Sequence, residues 1–394
     1  MIYQRQQPIN TPKETGKTMF QKPKGTVDYY PNEFARLQWI LNSCRKVAGR
    51  NGFREIETPA FEDLKLLSEK EGDEISEQIF VLEKRGEEAF GLRFDMTVPC
   101  ARLFTNISKS LVKPVKWSYA TRMWRYERPQ KGRLREFYQF GVELFGSARP
   151  DADAEVINLA IDCMKELGLT NKDVFVSINN RKLLQGILME FVSEENVTDL
   201  ISTIDKRKKI AADDFISMLR EQKVTDPTRL IKIIDITDIE ELGRLNLNTM
   251  ARQGYEEIKE VMGLVNKTFC RLSLSTARGL SYYTGTVFEI FDTANKYRSV
   301  CGGGRYDNMI GQFGGEQTPA TGFSIGPATL QLVLDDAKKK PSDDYRVDTY
   351  VAVVDDSVRA KAREILDAIR KTTSADIDLT GRSLAKQFDY ASKI

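Results

Sequence analysis

Residues 122–143 read RMWRYERPQKGRLREFYQFGVE, two β-forming runs joined by the turn-forming segment ERPQKGR. Arginines alternate with aromatic residues along both runs. This pattern predicts an antiparallel strand–loop–strand. Because the arginine fork binds phosphate oxygens in pairs and an aromatic ring can stack on a base, the stretch favours a nucleoside triphosphate lying across a sheet. A charged hairpin with its arginines in solvent fits the composition equally well.

The segments around this hairpin predict an α+β fold. Short β-type runs fill 75–145 and return at 272–301, separated by Gly and Pro turns, which predicts an antiparallel sheet. Apolar residues at helical spacing predict flanking helices over 32–50, 152–169 and about 326–336.

The order of these elements predicts a discontinuous sheet domain that carries an inserted helical block. Residues 185–265 are almost entirely helix-forming, with strand signals on both sides. The predicted division is a flexible N-terminal tail over 1–19, the sheet domain over 20–170 and 267–336, a mainly helical insertion over 171–266, a polar linker over 337–346 and the start of an α/β unit over 347–394.

The last unit reads strand, helix, strand, helix. Two strands do not bury both faces of such a helix pair, and so short a segment rarely sustains a core of its own. We therefore expect the 394 residues to be a truncated form of a longer protein. At the other end, Met19 is a candidate natural start.

Composition excludes several reaction classes. Histidine is absent, so there is no imidazole base, no His-containing nucleophile pair and no His zinc ligand. The five cysteines form no C-x-x-C pair, which predicts free thiols in a reducing cytoplasm and no thiolate metal cluster. With a polar N-terminus and no apolar run of bilayer length, we expect a soluble protein without a membrane partner. The net charge of +2 requires any polyanion to be held by local basic patches.

The two commonest nucleotide motifs are incomplete. Gly16-Lys17-Thr18 resembles the end of a P-loop, but Thr11 stands where the motif requires glycine and no buried strand precedes it. Glycines 302–304 are followed by Asp307 where a dinucleotide fingerprint would place its last glycine. Any nucleotide is therefore expected to bind without either cradle.

A second informative cluster is ARGLSYYTGTVFEIF at 277–291, followed by CGGGRYDN at 301–308. The adjacent tyrosines 282 and 283 would point to opposite faces if they lay in a strand, so only part of this set is expected to face one pocket. The glycines allow the backbone to approach a ligand closely.

These two clusters resemble the class II aminoacyl-tRNA synthetases, specifically the histidyl-tRNA synthetase family. The strand FREIETP, which ends at Pro59, is similar to the first class II motif, which lies at the dimer interface in that family. WRYERPQKGRLREFYQFGVELFG is similar to the second motif, and ARGLSYYTGTVFE with GGRYD to the two signatures of the histidine enzymes. The resemblance covers roughly residues 20–394. It implies a class II antiparallel sheet with flanking helices, a helical insertion and a partial anticodon-binding-like domain.

The resemblance also implies a site. Asp95, Thr97 and Gln139 would surround the ammonium of histidine, and Glu143, Tyr283 and Tyr306 would surround its imidazole. Tyr282 would also bind histidine. Arg125, Glu127, Arg133 and Phe137 would bind ATP, with Arg125 on the α-phosphate and Phe137 stacked on adenine. Arg278 and Arg125 would be the catalytic residues, with Arg278 between the substrate carboxylate and the α-phosphate. A fixed guanidinium there lowers the repulsion between two anions, and the ionised carboxylate needs no general base.

The implied activity is ATP-dependent formation of histidyl-adenylate and transfer of the histidyl group to the 3′ end of tRNA-His. The implied partners are histidine, ATP, tRNA-His and a second copy of the chain, with Mg²⁺ held through the ATP phosphates and no metal ligands in the protein. The basic run at 206–209 either contacts the phosphates of the acceptor stem or is a solvated surface.

One motif departs from the family. The third class II motif normally carries an arginine where GFSIGPATL has Thr329, preceded by Pro327 and Ala328. Two alternatives therefore stay open beside the enzyme. One is a histidine-sensing regulatory subunit of ATP phosphoribosyltransferase, and the other is a tRNA-binding protein without catalysis. The intact ARGLSYYTG signature favours the enzyme.

Overall fold

The computed structural model describes residues 20–68, 77–84, 86–130, 132–207, 210–277, 282–341 and 347–394. The strands are β1 (Arg54–Glu55), β2 (Phe61–Asp63), β3 (Phe90–Leu92), β4 (Val115–Trp124), β5 (Glu136–Phe145), β6 (Val174–Asn180), β7 (Cys270–Leu272), β8 (Thr286–Asp292), β9 (Cys301–Arg305), β10 (Ala320–Ile325), β11 (Thr349–Val351) and β12 (Ala375–Ile377). The α-helices are α1 (Pro31–Arg50), α2 (Leu64–Ser68), α3 (Thr97–Ile107), α4 (Pro150–Glu166), α5 (Arg181–Leu188), α6 (Val197–Lys206), α7 (Ala212–Glu221), α8 (Pro227–Ile234), α9 (Ile239–Gly243), α10 (Thr249–Leu264), α11 (Met309–Gln312), α12 (Pro327–Asp336), α13 (Arg359–Ile369) and α14 (Leu384–Ala391).

An eight-stranded sheet forms the centre of the fold, in the order β1-β4-β5-β10-β9-β8-β6-β7. The six inner strands pair antiparallel, as the sequence predicts. The two edge strands, β1 and β7, instead pair parallel to their neighbours. Parallel neighbours need a long crossover connection, and each of these pairs is separated in the chain by helical segments. The α+β class is therefore that of a mixed sheet flanked by helices.

Helices α1 and α4 cover one face of this sheet. In α4 the chain turns into the helix at Pro150, and Asp151 and Asp153 lie in the first turn, where the helix dipole favours negative charge. The apolar side of α4 and that of α1 pack into the largest core, which also contains Phe140 and Val142 of β5. A second core, around α3, lies against residues that β5 and β4 present to the opposite face, Phe145 and Tyr119 among them. The sheet is thus buried on both faces, and this is how it can hold an enclosed site.

The helical block between β6 and β7 consists of α5 to α10. The predicted insertion begins at residue 171, whereas in the structure residues 174–180 form β6 inside the main sheet, paired antiparallel with β8. All seven residues of β6 are buried, because the strand is covered on both faces. Helices begin directly after it, with the side chain of Asn180 accepting a hydrogen bond from the backbone N–H of Leu183.

Residues 347–394 form a small unit with its own core. Strands β11 and β12 pair in parallel, and α13 packs on them through Leu366. The order strand, helix, strand, helix agrees with the sequence reading. The described part of the chain contains no helix long and apolar enough to span a bilayer.

Candidate active site

A pocket opens over the middle of the sheet, where β4, β5, β9 and β10 run side by side. It is lined by Asp95, Thr97, Tyr119, Arg125, Gln139, Glu143, Tyr282, Tyr283, Gly302, Tyr306, Gly322, Phe323 and Ser324. Eight of the predicted site residues are among them, although they come from four separate parts of the sequence. The structure therefore brings together most of the predicted site.

Strand β5 supplies the floor of the pocket. Alternate side chains of a strand share a face, so Gln139, Gly141 and Glu143 point the same way. The intervening Phe140 and Val142 point to the opposite face and enter the largest core. A Cβ atom at Gly141 would collide with the ring and hydroxyl of Tyr119, so the absence of a side chain there lets the phenol of Tyr119 fit between Gln139 and Glu143.

Glu143 is the buried carboxylate of the pocket. It lies opposite Gly322 on β10 and is 2% exposed. A Cβ atom at Gly322 would collide with the carboxylate of Glu143 and with the carbonyl oxygen of Val142, so a residue without a side chain is required there. The hydroxyl of Tyr306 donates a hydrogen bond to Oε2 of Glu143.

The phenols around Glu143 stay protonated over the physiological pH range. Burial, and next the charge of Glu143, raise the pKa of Tyr306 well above its ordinary value. The same two causes raise the pKa of Tyr119. The carboxylate therefore faces neutral O–H groups, and a ligand that offers further N–H donors would satisfy its remaining lone pairs.

A second polar group lies at the other end of the pocket floor. Oδ1 of Asp95 accepts the backbone N–H of Thr97 at 3.1 Å, where α3 begins. Within the described residues, Oε1 of Gln139 is buried without a hydrogen-bond partner. A buried amide oxygen without a partner is costly, and a ligand ammonium beside Asp95 would supply the missing donor.

Tyr282 and Tyr283 do not lie in a strand, although the sequence argument about them assumed one. Strand β8 begins only at Thr286, so Tyr282 and Tyr283 lie in irregular backbone and both line the pocket. Their ring centroids are 4.6 Å apart. The ring of Tyr282 also meets that of Tyr306 edge-on, at 6.1 Å. The opposite-face argument was wrong here because it assumed a strand conformation.

Arg125 lies at the mouth of the pocket. Its Nε donates to the carbonyl oxygen of Phe94 at 2.9 Å, and its guanidinium carbon lies 5.1 Å from the centroid of the Phe137 ring. Glu127 and Arg133, which lie farther along the second-motif loop, form an ion pair. Of these four predicted ATP ligands, Arg125 is in the pocket lining and the other three are not, and Phe137 lies on β5 two residues before Gln139, towards the end of the floor away from Glu143.

Some sequence predictions fall elsewhere. Arg278 lies outside the described residues, as do the P-loop-like triplet at 16–18 and Met19. In the basic run, Arg207 is paired with Asp235 at 2.7 Å and stacks on Phe215. That arginine is thus paired within the helical block, while Lys208 and Lys209 lie outside the described residues, and the choice between phosphate contact and a solvated surface stays a prediction.

The sequence reasoning missed part of the lining. Tyr119 lies opposite Gly141 across the β4–β5 pair, and Phe323 and Ser324 line the pocket from β10. No motif contains Tyr119, and only the strand register brings it to the site. Thr329, at the departing position of the third motif, is buried next to Gly132 of the second-motif loop.

The sequence profile described as "Histidyl-tRNA synthetase" matches residues 25–330 of the chain. The chain is 39% identical over 385 residues to a protein named histidine--tRNA ligase from Haloarcula marismortui, with 95% of this chain and 88% of that one covered. It is 38% identical over 388 residues to a protein of the same name from Thermococcus kodakarensis, with the same coverage of both chains.

Solved structures agree. Histidyl-tRNA synthetase from Nostoc sp. PCC 7120 superposes with a TM-score of 0.81 at 26% identity, with 96% of this chain and 90% of that one covered. A structure titled as an ATP phosphoribosyltransferase regulatory subunit/histidyl-tRNA synthetase, from Bacillus halodurans, has the same TM-score at 24% identity and covers 95% and 97%. At that identity the likeness shows the fold alone. From the profile match and the two relatives above 30% identity, the chain belongs to the histidyl-tRNA synthetase family.

Proposed function

We propose that the pocket activates histidine with ATP and that the chain transfers the resulting histidyl group to the 3′ end of tRNA-His. The observation that carries the proposal is the distribution of polar groups along one pocket. The carboxylate of Glu143, hydrogen-bonded to Tyr306, lies at one end, and at the other lies Asp95 with the oxygen of Gln139, which has no hydrogen-bond partner among the described residues. An amino acid with a cationic ammonium and an N–H-bearing ring matches both ends at once.

The ring end selects the side chain. Imidazole offers a ring N–H to the Glu143 carboxylate, and the phenol groups of Tyr282, Tyr283 and Tyr306 border the same space. An aliphatic side chain, or a ring without an N–H, would be buried against the Glu143 carboxylate without donating a hydrogen bond to it. Displacing water from a buried charge without supplying a donor is unfavourable, and this would give the pocket its selectivity.

The arginine side would bind ATP. Arg125 reaches the pocket lining and holds a fixed position through Phe94 and Phe137. We assign Arg125 to the α-phosphate, Phe137 to the adenine, and Glu127 and Arg133 to the rest of ATP. Among the described residues, no group of three or more Asp, Glu, His or Cys side chains is arranged to hold a metal ion. Mg²⁺ would enter on the ATP phosphates, as the family resemblance implies, and would neutralise their charge.

Arg278 would complete the reaction centre, between the substrate carboxylate and the α-phosphate. When the carboxylate oxygen attacks, a bond forms to the α-phosphorus and the bond to the pyrophosphate oxygen breaks. A guanidinium at this position stabilises the charge that develops on the phosphoryl oxygens. The ester is then formed by attack of a tRNA hydroxyl on the adenylate carbonyl, with AMP as the leaving group.

The enzyme is favoured over the regulatory subunit. The two relatives described above are both named histidine--tRNA ligase and align with nearly all of the chain. Thr329 remains the departure from the third motif, and phosphate binding would depend on the arginines of the second-motif loop. The five cysteines are free and buried, which suits the reducing cytoplasm in which tRNA is charged.

A homodimer is part of the proposal. The small sheet of β2 and β3 directly follows the first-motif segment and carries exposed apolar side chains. Phe61 is 48% exposed and packs edge-on against Phe90, and Val81, bridged to the same sheet, is 58% exposed. Such an apolar surface next to the first motif fits a second copy of the chain.

The test is histidine-dependent exchange between ATP and labelled pyrophosphate. We expect the purified chain to catalyse it, and Arg278→Ala to lower its rate by about a hundredfold or more. Arg278→Lys should recover little, because a point charge does not bridge two oxygens as a guanidinium does. As a control, Arg271→Ala removes an exposed arginine that stacks on Phe175, and this variant should keep normal exchange. Near-normal exchange by Arg278→Ala would overturn the catalytic assignment, and tight histidine binding without exchange would favour the regulatory subunit.

A further inference from the structure

Arg305 and Asp153 form a buried ion pair outside the pocket lining. Arg305 is the last residue of β9, and its Nε donates to Oδ2 of Asp153 at 2.9 Å. Both side chains are only 5% exposed. Asp153 belongs to the first turn of α4, 152 residues away in sequence. Burying two charges is unfavourable unless further hydrogen bonds satisfy them, so the remaining partners of this pair indicate what it holds together.

Those partners lie on the segment that links β5 to α4. Nη1 of Arg305 donates to the carbonyl oxygen of Ser147 at 2.9 Å, and Nη2 donates to that of Arg149 at 3.2 Å. Nη1 also lies 3.1 Å from Oδ1 of Asp307. The guanidinium therefore joins the end of β9 to the backbone just after β5, the strand that carries Glu143.

The backbone of Arg305 is hydrogen-bonded to the segment that carries Tyr283. Its carbonyl oxygen accepts the N–H of Thr284, the residue after Tyr283, at 2.8 Å. The N–H of Asp307 in turn donates to Oγ1 of Thr284 at 3.0 Å. Tyr306 lies between these two anchored residues, and its hydroxyl donates to Glu143. One arginine thus connects the segments that present Tyr283, Tyr306 and Glu143.

We propose that Arg305 and Asp153 are positioning residues for histidine recognition, which hold Tyr306 against Glu143 and Tyr283 beside it without contacting the substrate. This inference rests on the proposed function, since it assigns a role in the same pocket. The guanidinium is needed because its planar fork serves a carboxylate and two carbonyl oxygens in fixed directions. Lysine keeps the positive charge but lacks the fixed hydrogen-bond directions of the guanidinium, so Tyr306 and Glu143 would lose their alignment with each other.

The experiment compares Arg305→Lys, Tyr306→Phe and the double variant in the pyrophosphate exchange assay, with KM for histidine and for ATP measured separately. We expect Arg305→Lys to raise KM for histidine by about 10- to 100-fold, because small misplacements of binding groups have effects of this order, and to change KM for ATP less than twofold. The effect of Arg305→Lys should be clearly smaller in the Tyr306→Phe background, because the two residues act through one contact. Arg36→Lys is the matched control. It makes the same change in an arginine–aspartate pair with Asp335, neither residue of which is in the pocket lining, and should leave both KM values unchanged.

Asp153→Asn is the second variant, in case Arg305→Lys fails to fold. It removes the charge of Asp153 and keeps the size of the side chain. It should raise KM for histidine in the same selective way, by a smaller factor. A lower melting temperature with both KM values unchanged would mean that the pair is structural only, and would overturn the inference while leaving the proposed pocket intact. An unchanged KM for histidine in Tyr306→Phe would overturn the proposed use of Tyr306 and this inference together.

Discussion

Glu143 and Gln139 occupy the same face of β5, four residues apart, and the phenol of Tyr119 fits over Gly141 between them. The two side chains differ in what surrounds them. Glu143 is bonded to Tyr306, whereas the buried oxygen of Gln139 has no partner in the described part of the chain. At this scale, the proposed recognition of histidine depends on one buried charge and one amide oxygen. The two contacts can be tested independently.

The first prediction is that Glu143→Gln selectively impairs the use of histidine. The substitution keeps the size of the side chain and removes the charge at the imidazole end. Since a hydrogen bond to a charged group contributes about 1.5–3 kcal/mol, KM for histidine should rise by about 10- to 100-fold. KM for ATP should change less than twofold. Steady-state pyrophosphate exchange with each substrate varied in turn measures both.

Glu136→Gln is the control for that substitution. Glu136 begins the same strand, and its Oε2 accepts the indole N–H of Trp124 at 2.9 Å, away from the pocket lining. This variant should leave both KM values unchanged. Equal increases in the two KM values for Glu143→Gln would contradict the assignment of Glu143 to the imidazole end.

At the scale of elements, α5 and α10 approach each other unusually closely. A Cβ atom at Gly254 of α10 would collide with the backbone nitrogen of Leu183 and the side chain of Asn180, so the helices meet at a glycine. The same Asn180 caps α5 and donates to Glu257 of α10 at 2.9 Å. This contact joins the helical block to the end of β6, and thereby to the sheet.

The second prediction compares two glycines of α10. Gly254→Ala should lower the free energy of unfolding by about 1–3 kcal/mol, because the added methyl overpacks the contact with α5. Gly263→Ala should be neutral or should raise it by up to about 1 kcal/mol, since a Cβ there meets no atom and alanine favours the helix. Thermal and urea unfolding measure both. A Gly254→Ala variant as stable as Gly263→Ala would show that the helices can move apart at no cost.

At the scale of the whole molecule, the sheet packs its helices through the largest core on one face and the core around α3 on the other, while residues 347–394 pack around a separate core. Leu366 of α13 is fully buried in the smaller core, with Val353 and Ile377. Leu159 of α4 is fully buried in the larger core. Because no hydrophobic cluster of the described residues joins the two, damage to one core should leave the other folded.

The third prediction follows from these separate cores. Leu366→Ala should lower the stability of the C-terminal unit by about 2–5 kcal/mol and leave histidine-dependent pyrophosphate exchange unchanged. Leu159→Ala, the same substitution in the larger core, should lower the temperature at which the exchange activity is lost. Exchange measured over a temperature series, beside circular dichroism, distinguishes the two. Loss of exchange in Leu366→Ala at 25 °C would mean that the catalytic unit depends on the C-terminal one.

Much of this architecture was predictable from neighbouring residues. The alternation of β5 and the turn in ERPQKGR indicated a hairpin, and β4 and β5 form that hairpin. Helices α1, α4 and α12 were predicted to within a few residues. Strand alternation, turn residues and helical periodicity are local properties, because they depend on residues that lie within one or two turns of one another. The family resemblance drawn from the motifs is confirmed by the profile match.

Contacts between distant parts of the chain required the three-dimensional structure. From the sequence, the buried strand β6 is assigned to the helical block, because its own residues do not show that it joins the main sheet. Tyr306 meets Glu143 across 163 residues, and Tyr119 enters the pocket only because β4 pairs with β5 in one register. Strand order, register and helix packing depend on long-range burial of apolar surface. They bring together residues whose contact cannot be predicted from the sequence around either one.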